Sequence, residues 1–215
     1  SAAVNYAILN IAEQGHNIVT VPLLYGGTYT LFKHMLPRQG IEVRFGKDDS
    51  VEELAKLIDD KTQAIFCESI GNPAGNIIDI QALAEAAHRH GVPLIVDNTF
   101  GACGFLCRPI DHGADIVVQS ATKWIGGHGT TIGGVLVDSG TFPWAEHAER
   151  FRRLNEPDVS YHGVVYTEAL KPIGNIAYVV HIRTHLLRDL GGSMSPFNAF
   201  LFLQGLETLH LRMPR

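Results

Sequence analysis

The sequence predicts an α/β fold, a mostly parallel sheet held between helices. Three observations carry it. Six short runs, 17–21, 41–45, 63–68, 92–97, 116–119 and 132–137, are apolar and rich in Val and Ile. They are continuous rather than alternating in polarity, so both faces of each strand are covered, as in a parallel sheet. Helical patterns separate them, which gives a doubly wound arrangement.

In chain order, Ser1-Ala2-Ala3 opens the first helix, with Ser1 placed to cap it. Ser50-Val-Glu-Glu53 reads as a capping box ahead of Leu54, Ala55 and Ile58. Asp79 caps a helix whose Ile80, Leu83, Ala84 and Ala87 form one apolar stripe, and Gly91 stops it. Beyond Asp138 strand signals end. A helical pattern from Thr167 to Leu190 follows, then a second helix starting at Ser195-Pro196, where proline suits the first turn. Residues 1–165 thus read as the core of a large domain, and 166–215 as long helices leading toward a further, C-terminal domain. The helix at 209–212 stops in mid-pattern without a glycine cap, so the chain is expected to be a fragment.

Composition narrows the function. At 215 residues, 46% apolar and 18% charged, the chain can bury a large core. Its net charge of -5 is spread without long like-charge runs, which argues against a nucleic-acid or anionic-membrane partner. No stretch approaches the roughly 20 apolar residues of a membrane span, and no basic or cleavable leader precedes Ser1, so the expected location is cytoplasmic. Cys67, Cys103 and Cys107 are an odd number with no zinc spacing, as suits free thiols in a reducing compartment. The eleven histidines show no His-Glu-x-x-His spacing, and no metal is assigned.

Ligands of such sheets sit at the carboxyl ends of the strands. Four ends stand out: Tyr25-Gly26-Gly27-Thr28, Glu68-Ser-Ile-Gly-Asn72-Pro73, Asp97-Asn98-Thr99 and Ser120-Ala-Thr122-Lys123. Lys123 is the one Lys or Arg between Arg108 and Arg150, among apolar or small neighbours. Dehydration there would favour the neutral amine, a nucleophile toward carbonyls, and hydroxyls at Ser120 and Thr122 suit phosphate oxygens. A surface lysine is the plain alternative. A nucleotide P-loop is excluded by order, because its glycines precede the lysine and here they follow it. Asp97 alone reads equally as a helix cap or a magnesium ligand. Opposite a lysine, it suits a protonated ring nitrogen, with a gross attraction of about 5–6 kcal/mol at ~3 Å and an effective dielectric of ~20. The Tyr25 ring can lie against a flat ligand or sit on the rim. Asn72, before proline and so extended, can donate to a phenolate or merely make a turn. Free N–H groups behind Ser1 suit a phosphate, although an ordinary cap explains Ser1 as well.

Together these strand ends, with Leu24-Tyr25-Gly-Gly-Thr-Tyr, Val96-Asp-Asn-Thr-Phe-Gly and Ser120-Ala-Thr-Lys-Trp-Ile-Gly-Gly-His-Gly, resemble the Cys/Met metabolism family of fold-type I pyridoxal-phosphate enzymes. They look most like its O-acetylhomoserine sulfhydrylase branch. The resemblance implies pyridoxal 5'-phosphate on Lys123 as a Schiff base, Asp97 on the pyridine nitrogen, and Tyr25 stacked on the ring and assisting proton transfer. It also implies Ser120 and Thr122 on the phosphate, Asn72 near the ring oxygen, and Thr99 and Ser1 within the cofactor-binding set. The implied reaction is γ-substitution: O-acetylhomoserine plus sulfide or a thiol gives homocysteine or methionine plus acetate. The implied assembly is a homo-oligomer, a dimer of dimers. Cystathionine γ-synthase, cystathionine γ-lyase and methionine γ-lyase chemistry are the alternatives, as is a truncated, non-catalytic chain. The family's Ser-Gly pair before Ser1, its N-terminal arm and its C-terminal domain with the substrate-carboxylate arginine have no counterpart here.

Overall fold

The computed structural model describes residues 1–214. Helix α1 (Ala2–Leu9) leads to β1 (Asn17–Thr20), then α2 (Gly26–Thr30), β2 (Glu42–Phe45), α3 (Val51–Lys56), β3 (Thr62–Glu68), α4 (Ile80–Arg89), β4 (Leu94–Asp97), β5 (Ile116–Ser120) and β6 (Gly134–Asp138). Each strand falls within two residues of its expected run. The strands form one sheet in the order β2-β1-β3-β4-β5-β6, parallel except for β6, which runs antiparallel to β5. Continuous apolar strands are what such a sheet needs, and Ile18, Ile65, Phe66, Ile95, Val96, Ile116 and Val118 are fully buried. Connections leave β1 in one direction and reach β3 on its other side, so the order reverses between β1 and β3. That is the switch point, where a crevice opens at the strand ends.

The helix caps follow the sequence with two corrections, the first being that Ser1 stands at the N-cap of α1 but its side chain accepts no backbone N–H. Asp79 accepts from the Ala82 N–H at 3.0 Å, and Gly91 takes a positive φ of 63° as α4 ends. Ser50 accepts from the Glu53 N–H, but the reciprocal half of the expected capping box is absent. The Glu53 carboxylate takes the Lys47 N–H instead, while Asp48 takes that of Ser50 at 2.9 Å. Asp48, two residues from Ser50 where Glu53 is three, satisfies the donor first.

Beyond β6 lie the short α5 (Arg152–Asn155) and α6 (Tyr166–Ala169). The single helix expected over 167–190 is broken: Pro172, without an N–H, and Gly174, with φ 135°, stop α6. The chain turns helical again as α7 (Ala177–His181), widens into a π-type turn (Ile182–Leu187) and closes as α8 (Arg188–Leu190). Tyr178, Ile182 and Leu186 are buried in the same cluster as the sheet. The Tyr178 ring stacks on Trp144 with centroids 5.0 Å apart, and its hydroxyl donates to the Ala7 carbonyl at 2.7 Å. Helix α9 (Pro196–Glu207), capped by Ser195 through the Asn198 N–H, and α10 (Leu209–Arg212) complete the described chain. Asp79→Ala leaves the first turn of α4 without its cap and is expected to cost about 1 kcal/mol, read as a lowered midpoint in urea unfolding at unchanged slope.

Candidate active site

The loops leaving β1, β3, β4 and β5 meet the start of α1 and the segment 179–198 around one cleft of about 1380 Å³. Ser1, Tyr25, Asn72, Asp97, Thr99, Ser120, Thr122 and Lys123, the eight residues expected from sequence, all line it. Parallel strands bring them together because every strand end carrying one points the same way.

At the floor, Asp97 Oδ1 accepts from the Thr99 N–H at 3.0 Å and from the Thr99 hydroxyl at 2.5 Å. Thr99 Oγ1 accepts in turn from the Ser120 N–H at 2.9 Å, joining the ends of β4 and β5. The Thr99 hydroxyl is therefore engaged by protein and orients Asp97. Among the described residues no donor reaches Asp97 Oδ2. Burial raises the Asp97 carboxyl above its ordinary range, with the Thr99 bonds pulling the other way. A dehydrated, oriented carboxyl with one oxygen open to a cleft favours a cationic ligand atom.

Lys123 lies in the turn after β5. Its N–H donates to the Ser120 carbonyl at 3.1 Å, and its carbonyl accepts from the Gly127 N–H at 2.8 Å. Thr122 Oγ1 donates to the Gly133 carbonyl at 3.2 Å and accepts from the Gly133 N–H at 3.0 Å, tying the turn to the start of β6. Of the two hydroxyls flanking the lysine, Ser120 alone has no protein partner among the described residues. One expectation is corrected here: Lys123 is exposed rather than dehydrated. Its small and apolar sequence neighbours face inward or line the turn, leaving the amine in the open cleft.

On the opposite rim Tyr25 caps α2, its ring 52% exposed. A Cβ at Gly27 would come within 2.7 Å of that ring, so glycine is what lets the tyrosine lie back over its own turn. The Tyr25 N–H donates to Glu68 Oε1 at 2.7 Å, and the Asn72 N–H donates to Glu68 Oε2 at 3.1 Å. Glu68, not chosen from sequence, thus clamps two of the expected residues across the β1–β3 switch point. The signal was present, since it is an acid closing an apolar strand, as Asp97 is. Arg183, Arg188 and Ser195 also line the cleft. Nothing in their local sequence marks them, and tertiary packing alone brings them there.

Burial pushes the Glu68 carboxyl up to about 7, with the nearby Asp97 charge adding to the rise and the two backbone N–H bonds opposing it. An acid with a raised folded pKa holds its proton in the folded state. Its contribution to stability is complete below the ordinary value of 4.5 and is lost as pH rises through about 7. Glu68→Gln removes that titration, so the stability difference between wild type and variant should change across pH 4.5 to 8 in the direction of relative loss by wild type. A difference flat with pH in urea unfolding would show that Glu68 titrates normally.

The profile of the Cys/Met metabolism PLP-dependent enzyme family matches residues 1–215. The homocysteine synthase of Schizosaccharomyces pombe is 57% identical over 215 residues, covering 100% of this chain and 49% of that protein. The homocysteine/cysteine synthase of Saccharomyces cerevisiae is 55% identical over 214 residues, covering 100% and 48%. The chain spans about half the length of these relatives. Among solved structures, a Campylobacter jejuni protein described as an O-acetylhomoserine (thiol)-lyase, carrying N'-pyridoxyl-lysine-5'-monophosphate, superposes with a TM-score of 0.91 at 39% identity over 99% of this chain and 51% of that one. With its profile matched from end to end and its strand ends gathered on one cleft, the chain belongs to the Cys/Met metabolism family of pyridoxal-phosphate-dependent enzymes.

Proposed function

We propose that this chain is the cofactor-binding part of an enzyme that replaces the acetate of O-acetylhomoserine with sulfide or a thiol, giving homocysteine or methionine. The observation that carries the reading is the convergence of the open Asp97 oxygen, the exposed Lys123 amine and the free Ser120 hydroxyl on one cleft at the switch point. That donor set fits pyridoxal phosphate: an amine for its aldehyde, an acid for its ring nitrogen, and a hydroxyl with the first N–H groups of α1 for its phosphate. Relatives named homocysteine synthase support the substrate class.

Bound pyridoxal phosphate supplies an electron sink for charge developing at a substrate carbon. Lys123 Nζ would hold the cofactor aldehyde, and its amine is the base that would take the proton from the substrate α carbon and move protons at the β carbon. Asp97 Oδ2, unpartnered among the described residues, would keep a proton on a ring nitrogen beside it. The Tyr25 ring covers one face of the cleft and excludes water. Asn72 would meet the ring oxygen and Ser120 with the α1 terminus would orient the phosphate, while Thr99 and Thr122 hold Asp97 and the lysine turn in place. Arg183 brings positive charge to the wall where a substrate carboxylate would meet it, while Arg188 beside it is paired with Asp189. The longer enzyme is read as a cytoplasmic homo-oligomer, a dimer of dimers, with residues 166–215 leading toward its remaining domain. No helix among the described residues is long and apolar enough to cross a membrane.

Two variants test the reading in the complete enzyme. Lys123→Ala should lose the visible absorption of the protein-bound cofactor and its borohydride-reducible attachment, and a retained covalent adduct would refute the assignment. Asp97→Ala should slow exchange of the substrate α proton by several kcal/mol of barrier with the fold unchanged by circular dichroism. Normal exchange would remove the ring-partner role. Homocysteine formed from O-acetylhomoserine and sulfide, with no 2-oxobutyrate released from cystathionine or methionine, would separate the proposed reaction from the γ-lyases.

A further inference from the structure

We propose that Asp158, His181 and His185 form a binding site for one divalent transition-metal ion of the zinc class, separate from the cofactor cleft. One ligand atom from each residue lies within 4.8 Å of the other two. His181 and His185 are four residues apart on the helical stretch 177–190, so they share a face. Their rings are parallel within 14° and 5.0 Å apart. Asp158 comes from a separate loop, closed by the Asp158–Val164 bridge, which is why a search of the sequence for local ligand motifs passes over the site.

The hydrogen bonds around the cluster prepare it for a cation. His181 is 2% exposed, and its Nδ1 lies 2.7 Å from Asn10 Oδ1. Asn10 Nδ2 donates to the Tyr178 carbonyl at 3.0 Å, which fixes the amide so that an acceptor faces the ring. Nδ1 must then carry the hydrogen, leaving the Nε2 lone pair for a ligand. This is the outer support that metal-binding histidines use. The Asp158 carboxylate is likewise held: Oδ1 accepts from the Ser160 N–H at 2.8 Å and its hydroxyl at 2.6 Å, and Oδ2 from the Tyr166 hydroxyl at 3.1 Å. His185 is the adjustable member, 35% exposed, with Nδ1 4.0 Å from Asp158 Oδ2. Zinc at about 2.1 Å from each ligand would draw the three to roughly 3.4 Å apart, a movement His185 can supply by side-chain rotation. Two imidazoles and a carboxylate suit zinc and leave a fourth position for water.

None of the three residues lines the cleft, but Ile182, Arg183, Leu187 and Arg188 of the same helical stretch do. An ion here would tie the 158–164 loop to the outer side of the cleft wall. The chain, freed of metal with a chelator and dialysed, is titrated with zinc near neutral pH by calorimetry, with cobalt as the visible-spectrum probe and thermal unfolding as a second readout. Expected are one zinc per chain, a four-coordinate cobalt spectrum, and a raised melting temperature at saturating zinc. His185→Ala and Asp158→Asn should each weaken this binding by about tenfold or more and abolish the thermal shift, with circular dichroism unchanged. Eleven histidines offer adventitious sites elsewhere, so the variants decide. Zinc binding of equal affinity in wild type and both variants would overturn the proposal, as would no binding at about 1 mM zinc, where any built site is filled.

Discussion

The hydroxyl of Thr99 joins two strand ends, donating to the Asp97 carboxylate and accepting from the Ser120 N–H. The rest of the site depends on that geometry. The bond to Asp97 turns one carboxylate oxygen inward and leaves the other facing the cleft. The bond from Ser120 sets where β5 ends, and hence where the turn bearing Lys123 begins. A hydroxyl can serve both ends because it offers one hydrogen and two lone pairs. A side chain lacking either capacity would leave the Asp97 carboxylate and the Lys123 amine to settle independently, and a shift of about 1 Å between reacting groups is enough to slow chemistry substantially.

The lysine turn also needs support from below, and it comes from far along the chain. A Cβ at Gly205 in α9 would meet the Ile125 and Gly126 carbonyls at 2.3 and 2.5 Å, so the absence of a side chain there lets the helix lie directly on the turn. Gly133 works in the same way: an added Cβ would strike the Phe202 ring at 2.4 Å. Arg212 donates to the Trp124 carbonyl at 2.9 Å and to the Gly205 carbonyl at 2.8 Å, closing the contact. Of the glycines after Lys123, Gly126 faces the Phe202 ring and Gly127 the Arg212 guanidinium, where an added Cβ would come within 3.2 and 2.5 Å, so these two serve the packing of α9 and α10.

Much of this was legible in the sequence because parallel strands leave a strong one-dimensional trace. A strand covered on both faces must be apolar throughout, so its end is where the first polar residue stands, and the ends carry the ligand groups. That reasoning located β1 to β6 and brought Asp97, Lys123, Ser120 and Tyr25 onto one cleft. It was blind to what depends on three dimensions. The engagement of the Thr122 hydroxyl with Gly133, the exposure of Lys123 and the arrival of Arg183 at the cleft wall follow from how β6 and α7 pack. The break at Pro172 and Gly174 was legible and was outweighed by the apolar periodicity on either side. Glu68 carried the same signal as Asp97, but its role exists only because the loops after β1 and β3 diverge around it.

Glu68 and Asp97 also explain one another. They stand directly opposite in the register of β3 and β4, both dehydrated, and burial pushes Glu68 up to about 7 with the charge of Asp97 adding to the rise. Two neighbouring buried acids titrate as a coupled pair, and keeping both ionised is costly. Their surroundings break the tie. Glu68 also borders the cleft, but both its oxygens are committed to the backbone N–H groups of Tyr25 and Asn72, which leaves neither for a cation. Asp97 has one oxygen open to the cleft, so a cationic ring nitrogen there would hold it ionised. That charge in turn reinforces the proton on Glu68. Burial thus works against two full charges at these neighbouring strand ends, and of the pair Asp97 alone keeps an oxygen open to a cationic group while Glu68 braces the two loops.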